Sequence, residues 1–101
     1  MLVNRDLIAE RLGFKRSDID MLLAMFSKNA ASSLKEMQQM IDENNMQGIA
    51  DAAHAIKGSA GNLKLDDIYD LAMTIETAAK NSENADYRLY YQQLKALLEL
   101  F

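Results

Sequence analysis

Ala53-His54-Ala55-Ile56-Lys57-Gly58-Ser59-Ala60-Gly61-Asn62-Leu63 carries the only histidine of the chain and lies within a run of apolar residues at helical spacing. On a wheel turning about 100° per residue with His54 at zero, Ile49, Ala53, Ile56, Ala60 and Leu63 gather between about 180° and 260°. Lys57 falls near about −60°, Gly58 near about 40° and Gly61 near about −20° on the same wheel. The segment is therefore an amphipathic helix whose imidazole points away from its apolar stripe, with the lysine and both glycines beside it.

The same periodicity extends in both directions. Asn4 is placed to cap a short helix through Leu12, with Leu7, Ile8 and Leu12 apolar and Gly13 where a left-handed terminating residue is expected. Ser17 reads as the N-cap of a long second helix reaching about Glu43, along which Leu22, Leu23, Phe26, Ala30, Leu34, Met37 and Ile41 recur. Asn44 and Asn45 interrupt the pattern, and Asn45 caps the helix that carries His54. Asp66 is expected to cap a fourth helix with Ile68, Leu71, Ala72, Ile75 and Ala79 inward. After the polar turn Asn81 to Asn84, a fifth helix places Tyr87, Tyr90, Tyr91, Leu94, Leu97, Leu98 and Phe101 on one face. Short connections between long amphipathic helices make neighbours antiparallel. The expected fold is all-α: an up-down-up-down antiparallel four-helix bundle with a short additional N-terminal helix, residues 1–101 forming one domain.

Composition agrees and removes several classes of function. Half of the 101 residues are apolar, enough for one core, and the absence of proline with only four glycines permits long helices. The absence of cysteine removes disulfides, thiolate nucleophiles and cysteine metal sites. The opening residues Met1-Leu2-Val3-Asn4-Arg5-Asp6 do not read as a signal peptide, and no apolar run approaches the ~20 residues that span a bilayer, so a cytoplasmic protein is expected. Eleven basic residues, scattered singly, against fifteen acidic ones give a net charge of −4, which argues against nucleic acid as a partner. The seven methionines read chiefly as core filler, with any that are exposed on the docking side offering an adaptable surface for more than one partner.

A glycine within a helix costs ~0.8 to 1 kcal/mol relative to alanine, so Gly58 and Gly61 together give up ~2 kcal/mol. Bare backbone beside His54 lets a large body approach the imidazole; the alternative is close packing of this helix on a neighbour, but the wheel sets both glycines away from the apolar stripe. Lys57 puts positive charge next to a nucleophilic nitrogen, a combination suited to a phosphoryl group of about −1.5 to −2 charge. Ser59, nearer the core, is assigned a structural part.

The stretch resembles the His-x-x-Lys-Gly signature of histidine-containing phosphotransfer (HPt) domains, and the likeness is strongest from Asn45 to Glu76. The resemblance implies that His54 is a phosphoacceptor, that Lys57 offsets charge on the phosphoryl oxygens, and that Gly58 and Gly61 give docking clearance. It further implies that Glu76, twenty-two residues after His54, accepts a hydrogen bond from one imidazole N–H and leaves the other nitrogen free to attack. Many relatives have glycine ten residues after the histidine where this chain has Lys64. Either Lys64 adopts the left-handed conformation at ~1 kcal/mol or the helix ends differently.

The implied activity is that of a phosphocarrier with little catalytic apparatus. It receives a phosphoryl group from a receiver aspartate or a kinase and passes it to a receiver aspartate. No cofactor is expected on this chain, since Mg²⁺ would come with the receiver, and the expected partners are a receiver domain and an upstream sensor kinase, with the chain itself a monomer. Three other readings stand beside it. In the phosphoacceptor part of an orthodox sensor kinase the histidine is typically followed by an acidic residue, whereas Ala55 follows here and no ATP-binding segment is present. A helical adaptor with an incidental histidine, or a domain excised from a hybrid or chemotaxis kinase, gives the same pattern.

Overall fold

A computed structural model describes residues 5–100, with Arg5 and Arg16 described as backbone only. It contains five helices: α1 (Arg5–Leu12), α2 (Arg16–Asp42), α3 (Met46–Asn62), α4 (Asp66–Lys80) and α5 (Tyr87–Leu98). Helices α2 to α5 pack in a closed ring, each against the next and α5 back on α2, while α1 lies against α2. The bundle measures 42 × 19 × 19 Å. Its long axis is set by the 27 residues of α2, which span about 40 Å at about 1.5 Å each. The all-helical architecture and the extra N-terminal helix match the sequence reading; Asn4 and Phe101, assigned there to a cap and to the last stripe, lie outside the described residues.

The expected stripes form the core. Leu23, Phe26, Ala30, Leu34, Met37 and Ile41 of α2, Ile49, Ala53, Ile56 and Ala60 of α3, Ile68, Ala72, Ile75 and Ala79 of α4, and Tyr87, Leu94 and Leu98 of α5 are buried, with Leu22, Leu71, Tyr90, Tyr91 and Leu97 half-buried at its edge. Helices α3 and α4 form the most extensive pair. Alanines at positions 53, 60, 72 and 79 are buried on these two helices, and such short side chains let the backbones approach closely.

Four helices end in one motif. After α1 the residue in the left-handed region is Gly13 (φ 71°), after α2 Asn44 (φ 54°), after α3 Lys64 (φ 58°) and after α4 Ser82 (φ 51°). The next amide in each case reaches back to the helix: Phe14 N to Ala9 O (3.0 Å), Asn45 N to Met40 O (2.8 Å), Leu65 N to Ala60 O (2.9 Å) and Glu83 N to Ala78 O (2.9 Å). This is the Schellman closure, which satisfies carbonyls that a helix end leaves unpaired. Lys64 thus takes the conformation for which glycine is the usual residue.

The tight closures also explain which caps the sequence misplaced. Asn45 both completes the closure of α2 and caps α3, its side chain accepting from Gly48 N at 2.9 Å, as expected. Leu65, having donated its amide to the closure of α3, occupies the N-cap position of α4, so Asp66 is already helical and does not cap. Its carboxylate still faces the positive end of the helix dipole and accepts from Arg11 of α1 at 3.5 Å. Ser17 likewise falls inside the first turn of α2, because the chain is extended at Lys15 directly after the α1 closure and the helix begins at Arg16. A cap on α5 that the sequence reading did not name is Asp86, which accepts from Leu89 N at 3.1 Å.

A lysine in the left-handed region carries a Cβ that glycine lacks, at a cost of ~1 kcal/mol. Lys64→Gly is therefore expected to raise unfolding free energy by about 1 kcal/mol and the midpoint temperature by roughly 4–8 °C. Urea and thermal unfolding measure this, and an unchanged or lower stability would show that the residue is not strained.

Candidate functional site

His54 stands at the middle of the 17 residues of α3, and its side chain is 65% exposed. Opposite it on α4 is Glu76, the only buried charged side chain among the described residues, 3% exposed. Burial of a carboxylate without partners is costly, and Glu76 has three. His54 Nδ1 lies 2.7 Å from Glu76 Oε2, Lys57 Nζ donates to Oε1 at 2.6 Å, and Lys80 Nζ donates to Oε2 at 3.2 Å. Burial alone would push the Glu76 carboxyl up, but hydrogen bonds from Lys57, Lys80 and His54 outweigh it and hold the group at about 2. The carboxylate in turn raises the pKa of the Lys57 ammonium through their hydrogen bond.

The ionised carboxylate settles the state of the ring. It only accepts, so the imidazole nitrogen facing it carries the proton, and in the neutral ring the lone pair lies on Nε2. Nε2 makes no hydrogen bond among the described residues, on a ring that is mostly in solvent. This arrangement can perform nucleophilic attack or general-base chemistry from Nε2 on a body arriving from outside.

The two glycines have different surroundings. Gly58 is exposed, and a Cβ placed on it would meet nothing within 4 Å. At Gly61 a Cβ would lie 3.3 Å from Cδ2 and 3.4 Å from Cε2 of Tyr69 on α4. Gly61 thus faces Tyr69 as well as the side of His54: a Cβ there would press on the edge of the tyrosine ring and require it to give by a few tenths of an ångström. The wheel located Gly61 on the face of His54 but carried no information about what α4 lays across that face. Lys57 is also placed differently from a free phosphoryl contact, since its side chain is 22% exposed and its ammonium is engaged by Glu76.

Sequence reasoning brought together His54, Lys57 and Glu76 and missed Lys80 and Tyr69. Both missed residues lie on the stripe of Glu76: Lys80 is four residues on, the spacing at which helical side chains meet, and Tyr69 is seven back. Ser59 is half-buried, consistent with its placement nearer the core. Among the described residues no three or more His, Asp or Glu side chains cluster as metal ligands, and no helix is long and apolar enough to cross a membrane.

A family model described as the Hpt domain matches residues 21–101, most of the chain. The chain belongs to the Hpt domain family. The comparisons with curated proteins and with solved structures each returned no match. Membership carries the general role of histidine phosphotransfer in phosphorelays, with receiver and kinase proteins as the class of partner. The match begins at Met21, so α1 and the first turn of α2 precede the part of this Hpt domain that the family model describes.

Because the Glu76 carboxyl is depressed from 4.5 to about 2 in the folded state, it contributes stability that is complete above pH 4.5 and is lost as pH falls toward 2. At neutral pH this amounts to about 3 kcal/mol. Glu76→Gln is expected to unfold more readily than the wild type at pH 7, with the gap closing between pH 4.5 and 2. Urea titrations across that range test it; a gap independent of pH would mean that ionisation of Glu76 is not what stabilises the fold.

Proposed function

We propose that this Hpt domain, residues 1–101 acting as one unit, is a cytoplasmic, monomeric phosphocarrier that accepts a phosphoryl group on His54 and passes it to a receiver aspartate. The reading rests on one observation above the others: an exposed imidazole whose Nδ1 is held by a buried carboxylate, with Nε2 left open. In the forward step Nε2 attacks the phosphorus of an aspartyl phosphate; the N–P bond forms, the acyl P–O bond breaks and aspartate leaves as carboxylate. No proton has to be removed from the ring, because Nδ1–H stays on the side of Glu76. The positive charge that the ring gains faces the Glu76 carboxylate.

Lys57 is one helical turn from His54 on the same face, and its four-carbon stem lets the ammonium move from Glu76 Oε1 to the phosphoryl oxygens. Lys80, on the same helix as Glu76, keeps a cation on the carboxylate when Lys57 leaves. The Mg²⁺ and the acidic pocket are supplied by the receiver. Gly58 gives the receiver access to the ring, and Phe14, Met21 and Met25, all exposed on the α1–α2 side, extend the docking surface with adaptable apolar side chains.

His54→Gln is expected to retain the helical fold and thermal midpoint of the wild type and to take up no label from a phosphorylated receiver, as followed by radiolabel transfer and circular dichroism. Normal uptake would dismiss His54 as the acceptor, labelling of the wild type by ATP and Mg²⁺ alone would favour a kinase, and receiver binding without labelling would favour an adaptor. Gly58→Leu separates docking from folding. Leucine is the better helix former and meets nothing at this position, so stability is expected to rise by roughly 0.5–1 kcal/mol while transfer at low receiver concentration falls about tenfold. Unchanged transfer would refute the clearance argument.

A further inference from the structure

Two contacts fix the register of α3 against α4: His54 with Glu76, and Gly61 with Tyr69. Seven residues forward on α3 correspond to seven residues back on α4, as antiparallel helices require, and seven residues are two turns that return to the same face. Tyr69 and Glu76 consequently lie on one stripe of α4, and the tyrosine ring reaches the face of α3 that carries His54, two turns beyond it, with Lys57 between.

The ring is anchored by its edge. Cδ2 and Cε2 lie 3.3 and 3.4 Å from where a Cβ on Gly61 would stand, so the absence of that atom lets the ring sit a few tenths of an ångström closer to α3 than alanine would allow. The residue is half-buried, and its hydroxyl makes no hydrogen bond among the described residues, whereas the buried Tyr87 donates its hydroxyl proton to Glu83 O at 2.7 Å. A rigid aromatic ring with an unused hydroxyl at the border of a reactive site has the properties of a binding hot spot: large contact area, small loss of side-chain freedom and a polar tip.

We infer that Tyr69 is a docking residue for the receiver domain, and that Gly61 serves the transfer reaction indirectly by seating that ring beside the path to His54. This rests on the phosphocarrier reading, and it adds α4 to the contact surface. The two glycines then have separate duties: Gly58 leaves space for the partner, and Gly61 leaves space for a side chain that meets the partner.

The test uses receiver domains of the source organism, charged with acetyl phosphate and Mg²⁺, against the full chain. Transfer to His54 is measured over a range of receiver concentrations, and binding of uncharged receiver is measured in parallel by calorimetry. Tyr69→Ala is expected to raise the receiver concentration at half-maximal transfer and the Kd about tenfold, with the rate at saturation within twofold of wild type. Tyr69→Phe, which keeps the ring on Gly61, is expected to recover the larger part of that loss, and Gly61→Ala, which displaces the ring by a few tenths of an ångström, to fall between. Equal receiver affinity for wild type and a folded Tyr69→Ala would overturn the proposal whatever His54 does. A lower saturated rate at unchanged affinity would overturn it too, assigning the ring to Lys57 rather than to docking. His54→Gln run alongside keeps the two readings apart: a variant that binds receiver normally yet takes no label upholds the acceptor assignment independently of Tyr69. A wild type that binds none of the receivers would remove both.

Discussion

One buried carboxylate organises this molecule. Glu76 is enclosed between α3 and α4 and holds three donors, an imidazole and an ammonium from α3 and a second ammonium one turn along its own helix. Removing any single partner leaves the others to compensate a charge that has no access to water, so the three side chains restrain one another. Tertiary packing makes this possible. The shortest buried side chains of α3 and α4 are alanines, the two helices approach closely along them, and a glutamate on one reaches the face of the other.

The register that brings Glu76 opposite His54 is set at the turn between the two helices. Lys64 in the left-handed region and the amide of Leu65 returning to Ala60 close α3, and the same Leu65 opens α4 with its carbonyl accepting from Tyr69 N at 2.9 Å. One residue performs the last duty of one helix and the first of the next, leaving no slack in the connection. The α2–α3 turn uses Asn45 in the same double way. At that junction the helices also come close, since a Cβ on Gly48 would overlap the Met40 side chain. Lys64 in place of glycine sacrifices about 1 kcal/mol without altering the turn.

Much of this was legible in the sequence, for reasons that also explain what was not. Apolar periodicity is a property of each helix by itself, so the stripes of α2 to α5 and the outward direction of His54 could be read directly. Asn45 was readable as a cap because its side chain acts on an amide only three residues away. Ser17 and Asp66 carry the right chemistry for capping, but the N-cap position falls two residues earlier on α2 and one earlier on α4 because the preceding closure consumes the chain that a cap would need. The partner of Gly61 was out of reach for a different reason: the wheel of α3 states which way the missing side chain would point, and only the register with α4 states what stands there. Lys80 lay within reach through its four-residue spacing from Glu76, yet that spacing acquires meaning only once Glu76 is known to be buried.

A carboxylate at position 76 does something that an amide would not. The side chain of glutamine offers both an acceptor and a donor, and by turning over it can face either tautomer of a neutral imidazole. An ionised carboxylate has no proton to offer, and at about 2 the Glu76 carboxyl is ionised at neutral pH, so Nδ1 of His54 is obliged to be the donor. The open nitrogen is then always Nε2, the atom on the exposed side. The cost of this certainty is a buried negative charge, and it explains why two lysines converge on one glutamate when a single hydrogen bond would orient the ring. Under the phosphocarrier reading the pair has a further consequence. An incoming phosphoryl group competes with Glu76 for Lys57, and a lone lysine could not answer that demand without leaving the carboxylate unpaired. With Lys80 already in place on Oε2, Lys57 is free to follow the phosphoryl group, and the tautomer that made the nitrogen reactive is preserved while it does so.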